Sequence, residues 1–262
     1  MKKLFYIFLL FSSACFSQSK FKLITKIESD TNLFTSDNQG NIYLIKENEL
    51  AKFDKTGKQL YKFSNKNFGN IDFVDASNMF KILVFYKNFS QVLFLDNTLS
   101  STGDPVSIDK IGFEQAQLVC TSHNNGMWIY DQQNFELVRI DQNLEKTQQT
   151  GNLNVLLNIN LQPVNLLEYD NKVYLNNPST GILIFDIYGT YYKTIPIKNM
   201  EQFQVISDWI YFISERKAKA YNIKTTEEKE FEMPLTEFQN FRLEMGILMI
   251  QDKNSISIYS EE

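Results

Sequence analysis

Hydrophobic and polar positions along this chain repeat as a phrase. Residues 41–63 read NIYLIKENELAKFDKTGKQLYKF: an apolar run at 42–45, a polar turn, a second run at 50–53, then Asp54-Lys55-Thr56-Gly57. Five later stretches carry the same arrangement: FKILVFYKNFSQVLFLDN, GMWIYDQQNFELVRIDQN, NKVYLNNPSTGILIFDIYG, DWIYFISERKAKAYNIK and GILMIQDKNSISIYSE. The second run of each copy ends on a large residue: Phe53, Leu95, Ile140, Phe185, Tyr221 or Tyr259. In five copies Asp or Asn follows (Asp54, Asp96, Asp141, Asp186, Asn222), and Ser260 stands in the sixth.

The copies recur at roughly forty residues, a spacing shared by helical solenoids and by the blades of β-propellers. Solenoids need apolar stripes at helical period, whereas these runs alternate or stay apolar for only four to six residues, as strands do. Each unit then supplies four strands. In the first they are A at 33–36, B at 42–46, C at 49–54 and D at 59–63, with Asp54 accepting backbone N–H bonds and Gly57 supplying positive φ at the C–D turn. Asp186 to Gly189 repeats that turn. A strands for the other units are expected at 71–74, 118–120, 164–167, 204–206 and 241–243.

The sixth copy lacks a D strand, while FKLITKI at 21–27 has no copy of its own. Pairing of 22–28 beside 255–259 would supply the missing strand and close the ring, removing exposed edges. The reading is an all-β, six-bladed β-propeller over residues 18–262, closed by an N-terminal strand that completes the last blade.

Composition adds location. The first residues, MKKLFYIFLLFSSACFSQ, give Lys2 and Lys3, an apolar stretch at 4–11 and small residues at 12–17. That is a secretory signal peptide, too short to span a bilayer. Cleavage behind Ser17 is one reading. Cleavage before Cys15 is the other, making a lipoprotein attached to a membrane through a lipidated Cys15; Ser12, where such boxes usually carry Leu, favours the first. An exported protein is therefore expected, in the periplasm or at the outer membrane.

The formal net charge of −5 becomes more acidic once Lys2 and Lys3 are removed. Nucleic acid, which needs a basic stripe, is excluded as a partner. After cleavage behind Ser17 only Cys120 remains, so no internal disulfide forms and the core alone must hold the fold. The 22 Phe and 13 Tyr supply material for it.

Catalytic chemistry is sparse. A single histidine, His123, rules out a multi-histidine metal site, and neither CxxC nor HExxH occurs. His123 is expected to start an A–B turn. Asp72, Asp75, Glu168, Asp170 and Glu244 fall on or beside A strands, as channel groups or as solvated strand ends. No cofactor and no metal is expected, and the protein is read as a non-enzyme.

Two connections are long: 100–116, SSTGDPVSIDKIGFEQA, and 151–163, GNLNVLLNINLQP. Both fall where D–A connections and B–C hairpins share one face, and long loops there carry function. The second is too apolar for a solvated loop: it either folds over the channel end or forms a patch for a protein partner. The candidate partner surface is Phe85, Tyr86 and Phe89 from FYKNFS, Ile108, Ile111 and Phe113 from the first connection, and Val155, Leu156, Leu157 and Ile159 from the second.

VFYKNFSQVLFLDN, MWIYDQQNFELVRIDQNL and IFDIYGTYYKTIPIK, with CFSQ closing the signal, resemble a family of small secreted six-bladed propellers of Bacteroidota cell envelopes. The likeness covers the mature chain. It implies a non-enzymatic protein-interaction or scaffold module, an accessory of the type IX secretion machinery, with an envelope protein as its partner. It carries across no catalytic residue. The alternative is a channel-mouth ligand-binding protein, or a hydrolase- or lactonase-like enzyme acting on a sugar or small ester.

Overall fold

The computed structural model describes residues 21–31, 33–200 and 202–261; the expected signal segment and Cys15 lie outside them. Strand β1 (Phe21–Glu28) comes first, and with the strands that follow it makes six four-stranded antiparallel sheets. Blade 1 is β2 (Leu33–Ser36), β3 (Ile42–Lys46), β4 (Glu49–Phe53) and β5 (Gln59–Ser64). Blade 2 is β6 (Phe73–Asp75), β7 (Ile82–Tyr86), β8 (Gln91–Leu95) and β9 (Val106–Ser107). Blade 3 is β10 (Ala116–Thr121), β11 (Met127–Asp131), β12 (Glu136–Ile140) and β13 (Lys146–Gln149). A short helix, α1 (Leu153–Leu157), precedes blade 4: β14 (Asn165–Tyr169), β15 (Lys172–Asn177), β16 (Gly181–Asp186) and β17 (Tyr191–Ile195). Blade 5 is β18 (Phe203–Ile206), β19 (Trp209–Ser214), β20 (Lys217–Asn222) and β21 (Glu228–Glu230). Blade 6 is β22 (Asn240–Glu244), β23 (Ile247–Gln251), β24 (Ser255–Glu261) and β1.

The ring closes as the ends of the chain foretell. β1 lies antiparallel to β24, from Phe21 opposite Glu261 to Glu28 opposite Ser255, with a bulge between Leu23 and Thr25. Ile27 enters the core shared by blades 6 and 1, beside Phe34, Ile42, Ile256 and Ile258. Chain ends that are far apart in sequence thereby share one sheet, and the β24 edge is covered.

The interior is six cores, one at each junction between neighbouring blades. This is why B strands read as continuous apolar runs: each is sandwiched on both faces. In β7, Ile82, Val84 and Tyr86 pack toward blade 1, while Leu83 and Phe85 pack toward blade 3. All five are buried, and each such side chain contributes about 1.5–3 kcal/mol.

The C–D turns form as the Asp-x-x-Gly reading requires. Oδ1 of Asp54, Asp96, Asp141 and Asp186 each accepts the N–H groups two and four residues on. Asn222 does the same work in blade 5, accepting from Lys224 and Thr225. The fourth turn residue is left-handed: Gly57 at φ 81° and Gly189 at 85°, but also Leu99 at 61° and Leu144 at 65°. Asp and two leucines thus complete turns where glycine is absent.

The connection 100–116 is not one loop. It contains β9, the two-residue D strand of blade 2, which pairs with Gln91 and Val92. Ser101 adds an isolated bridge to Leu95.

Candidate functional site

Inner strands run from an upper face, made of D–A connections and B–C hairpins, to a lower face of A–B and C–D turns. The upper face carries the expected partner residues, and the structure divides them. Phe85, Tyr86, Ile108 and Phe113 are core, at 1%, 0%, 0% and 1% exposure. The first two end a strand packed on both sides, and the other two fill the blade 2–blade 3 junction. They are not surface. Ile111 packs partly against that same core, and Leu157 and Ile159 against the junction of blades 3 and 4.

Three residues of the set stand in solvent: Phe89 at 51%, Val155 at 77% and Leu156 at 63%. The apolar segment 151–163 explains the last two. Leu153 and Leu161 plunge into the blade 3–blade 4 core beside Trp128, Leu166 and Leu175, so the segment covers that junction rather than the channel. Asn152 caps α1 by accepting the Val155 N–H at 3.1 Å, and the Asn154 side chain accepts Leu161 N–H at 3.0 Å. Asn158, left-handed at φ 52°, ends the helix. Val155 and Leu156 are thus pinned outward.

At the lower face, inner-strand carboxylates tie blades together. Glu168 on β14 accepts Ser122 Oγ at 2.5 Å, His123 N at 2.9 Å, His123 Nδ1 at 3.0 Å and Trp128 Nε1 at 2.7 Å, all from blade 3. Arg139 completes the knot, donating to Ser122 Oγ at 2.9 Å and to the His123 carbonyl at 2.6 Å. Asp75 on β6 accepts Thr121 N–H and Oγ1 at 2.8 and 2.7 Å. Glu244 on β22 accepts Gln204 Nε2 of blade 5 at 2.6 Å and Ser36 Oγ of blade 1 at 3.2 Å. Burial lifts the Glu244 pKa above the usual carboxylate range, opposed by the nearby Arg242 charge. These groups are not solvated strand ends: each is tied to a neighbouring blade. Asp170 sits in the A–B turn at φ 47°, and Asp72 accepts the Lys87 N–H at 2.8 Å.

His123 starts its A–B turn, its carbonyl accepting from Gly126 at 3.2 Å. Its Nδ1 faces both Ser122 and Glu168, so the three groups do not form a relay through the two ring nitrogens. Cys120 is fully buried, and desolvation holds its thiol well above the ordinary range. Among the described residues no group of three or more His, Cys, Asp or Glu could hold a metal ion.

Two charged groups escaped sequence reasoning. Lys52 is 3% exposed and reaches the Asn97 carbonyl at 2.9 Å, with Asp37 at 3.9 Å; Asp37 in turn accepts Tyr43 Oη at 2.8 Å. A lysine inside the apolar run ELAKF was the available signal. Arg242, inside FRLE on β22, lines two adjoining cavities of the central channel. The upper one, about 360 Å³, is lined by Leu33, Phe73, Val164, Asn165 and Gln202; the lower, about 290 Å³, by Asp75, Glu168 and Glu244. A larger groove of about 1090 Å³ lies between blades 5 and 6 on the lower face, floored by Trp209, Phe231 and Met233.

Sheet number, connectivity and closure define a six-bladed β-propeller. No protein-family model matches the chain, and no curated protein matches its sequence. Solved structures do. The WD40 domain of Neurospora crassa Pan2 superposes with a TM-score of 0.66 at 8% identity, over 92% of this chain and 95% of that one. A catalytically inactive histidine-to-alanine variant of virginiamycin B lyase from Staphylococcus aureus, solved with quinupristin, gives 0.59 at 12%, over 87% and 79%. The extracellular domain of a one-component system from B. thetaiotaomicron gives 0.57 at 10%, over 87% of this chain; the chain spans about a third, 32%, of that one. At these identities the likeness is one of fold.

Proposed function

We propose that this propeller is a non-catalytic interaction module of the bacterial cell envelope, docking a protein partner on its upper face. The observation that carries the reading is the presentation of Val155 and Leu156. Two adjacent large apolar side chains stand at 77% and 63% exposure on a helix that is capped, ended and anchored by buried leucines. Scattered apolar residues on a surface need no explanation. A pair held outward by three asparagine side chains or caps is different, because preorganised apolar anchors are what an interface uses. Phe89, on the B–C connection of blade 2, extends the same face.

Export is the reading of the basic, apolar and small-residue pattern in 1–17. The Bacteroides extracellular domain with this fold supports an envelope setting. A role as an accessory of type IX secretion, and attachment through Cys15, rest on the sequence resemblance and the cleavage pattern. A second reading, catalysis, draws on the lyase neighbour, whose inactive form lacks a histidine. The one histidine of this chain is bound into an inter-blade knot, which favours the docking role.

The test is co-purification after mild crosslinking in the native envelope. Wild type and a lower-face control, Phe80→Ser (Phe80 is 69% exposed), should recover the same defined complex. Val155→Ser/Leu156→Ser should lose it while keeping the wild-type fold. Recovery of the protein alone, or of the same complex with all three, contradicts the reading.

A further inference from the structure

The central channel holds a second feature, apart from the docking face. Arg242 lies deep in the disc, yet it retains accessible surface, so that surface borders the channel void. Its hydrogen bonding is sparse. One terminal nitrogen donates to Thr35 Oγ1 at 3.1 Å, and among the described residues no carboxylate forms an ion pair with it. A guanidinium carries five donors in a rigid fork, and a buried cation is normally paired.

No nearby acid meets the fork. Asp75 and Glu244 face the lower chamber, where Asp75 Oδ2 and Glu244 Oε1 accept from neighbouring blades. Burial lowers the Arg242 pKa, opposed by the Glu244 and Asp75 charges, which lie below the fork without meeting it. The upper chamber offers the reverse. Its apolar walls include Leu33, Phe73 and Val164, and beside Arg242 its polar groups are Thr35, Asp72 and the Asn165 and Gln202 amides. The Gln202 carbonyl oxygen accepts from Asn240 at 2.6 Å, which leaves its amide N–H groups for the chamber. The Asn165 side chain has no hydrogen bond among the described residues. Asp72 stands at the rim, exposed and committed to Lys87.

We propose that the upper chamber binds a small organic carboxylate, with the carboxylate on Arg242 and an apolar body against Phe73, Leu33 and Val164. Apolar walls with a few convergent polar groups are the usual composition of a small-ligand site. One planar cation with no lysine or second arginine in the lining matches one carboxylate, which the fork takes in bidentate fashion. A phosphate would bring more charge than this lining neutralises. The site is separate from the docking face residues 155 and 156, and its failure would leave that reading intact.

The probes are phenylacetate and its neutral twin phenylacetamide, titrated calorimetrically into the purified protein. Phenylacetate should bind saturably, and the amide about tenfold or more weakly, as loss of a charge-assisted bond requires. Arg242→Gln should abolish the preference. Val164→Trp keeps the arginine and fills the mouth, so it reports on the same site should the first variant fail to fold; it should also lose binding. Equal binding of the two probes by wild type, no saturable binding of phenylacetate, a preference for phenylacetate retained in folded Arg242→Gln, or binding retained in folded Val164→Trp overturns the proposal.

Discussion

At the scale of the residue, one carboxylate does most of the work on the lower face. Glu168 receives four donors from blade 3, one of them the indole N–H of Trp128, which is fully buried. Glu168→Ala leaves that donor without an acceptor and should cost about 2–4 kcal/mol, seen as a lower urea midpoint with unchanged slope. Glu168→Gln keeps one acceptor oxygen and should cost less. An alanine variant as stable as wild type would show the knot to be ornamental. The sequence exposed Glu168 as an acid near an inner strand but could not name its donors, which come from the Ser122–His123 turn and from Trp128 on β11, forty to forty-six positions upstream, and meet it only once the blades stack. Arg242 and Lys52 were hidden for a related reason: each sits in a strand whose apolar neighbours mask which way its side chain turns.

At the scale of the element, turns were legible and loops were not. Asp-x-x-Gly states its own geometry, because acceptor, donors and left-handed residue are all local. That geometry also sets a pH dependence. The Thr56 and Thr98 hydroxyls lead in holding Asp54 and Asp96 below the usual aspartate range, and the Glu145 N–H leads for Asp141. Depressed folded-state values stabilise the fold above the unfolded value near 3.8, and the contribution disappears as pH falls below it. Glu244 runs the other way, since burial raises its value. Asn substitutions at 54, 96 and 141 retain the acceptor, as Asn222 does naturally. The triple variant should match wild type at neutral pH and lose stability less steeply below about pH 4 in thermal melts. A parallel acid limb would contradict this. The connection 100–116 misled because β9 is two residues long, too short for alternation to show. FYKNFS misled because its first two aromatics end a strand buried on both faces, where surface and core aromatics look alike in sequence.

At the scale of the molecule, period and ends sufficed. Six phrases with a missing last strand and a surplus first one leave a single way to close the ring, and the β1–β24 register confirms it residue by residue. The junctions are unequal: between blades 5 and 6 the core holds Ala218, Phe241, Leu248, Ile250 and Tyr259, and the remaining side chains there are only partly buried. The wide lower groove lies at this same seam. Everything proposed for the upper face and the channel presumes a rigid disc, and rigidity presumes closure. Hydrogen exchange read by mass spectrometry tests that most directly. Amides of β1 should exchange together with those of β24, at the slow rate of the inner blades. Exchange of β1 orders of magnitude faster than β24 would mean an open ring, and would contradict the account.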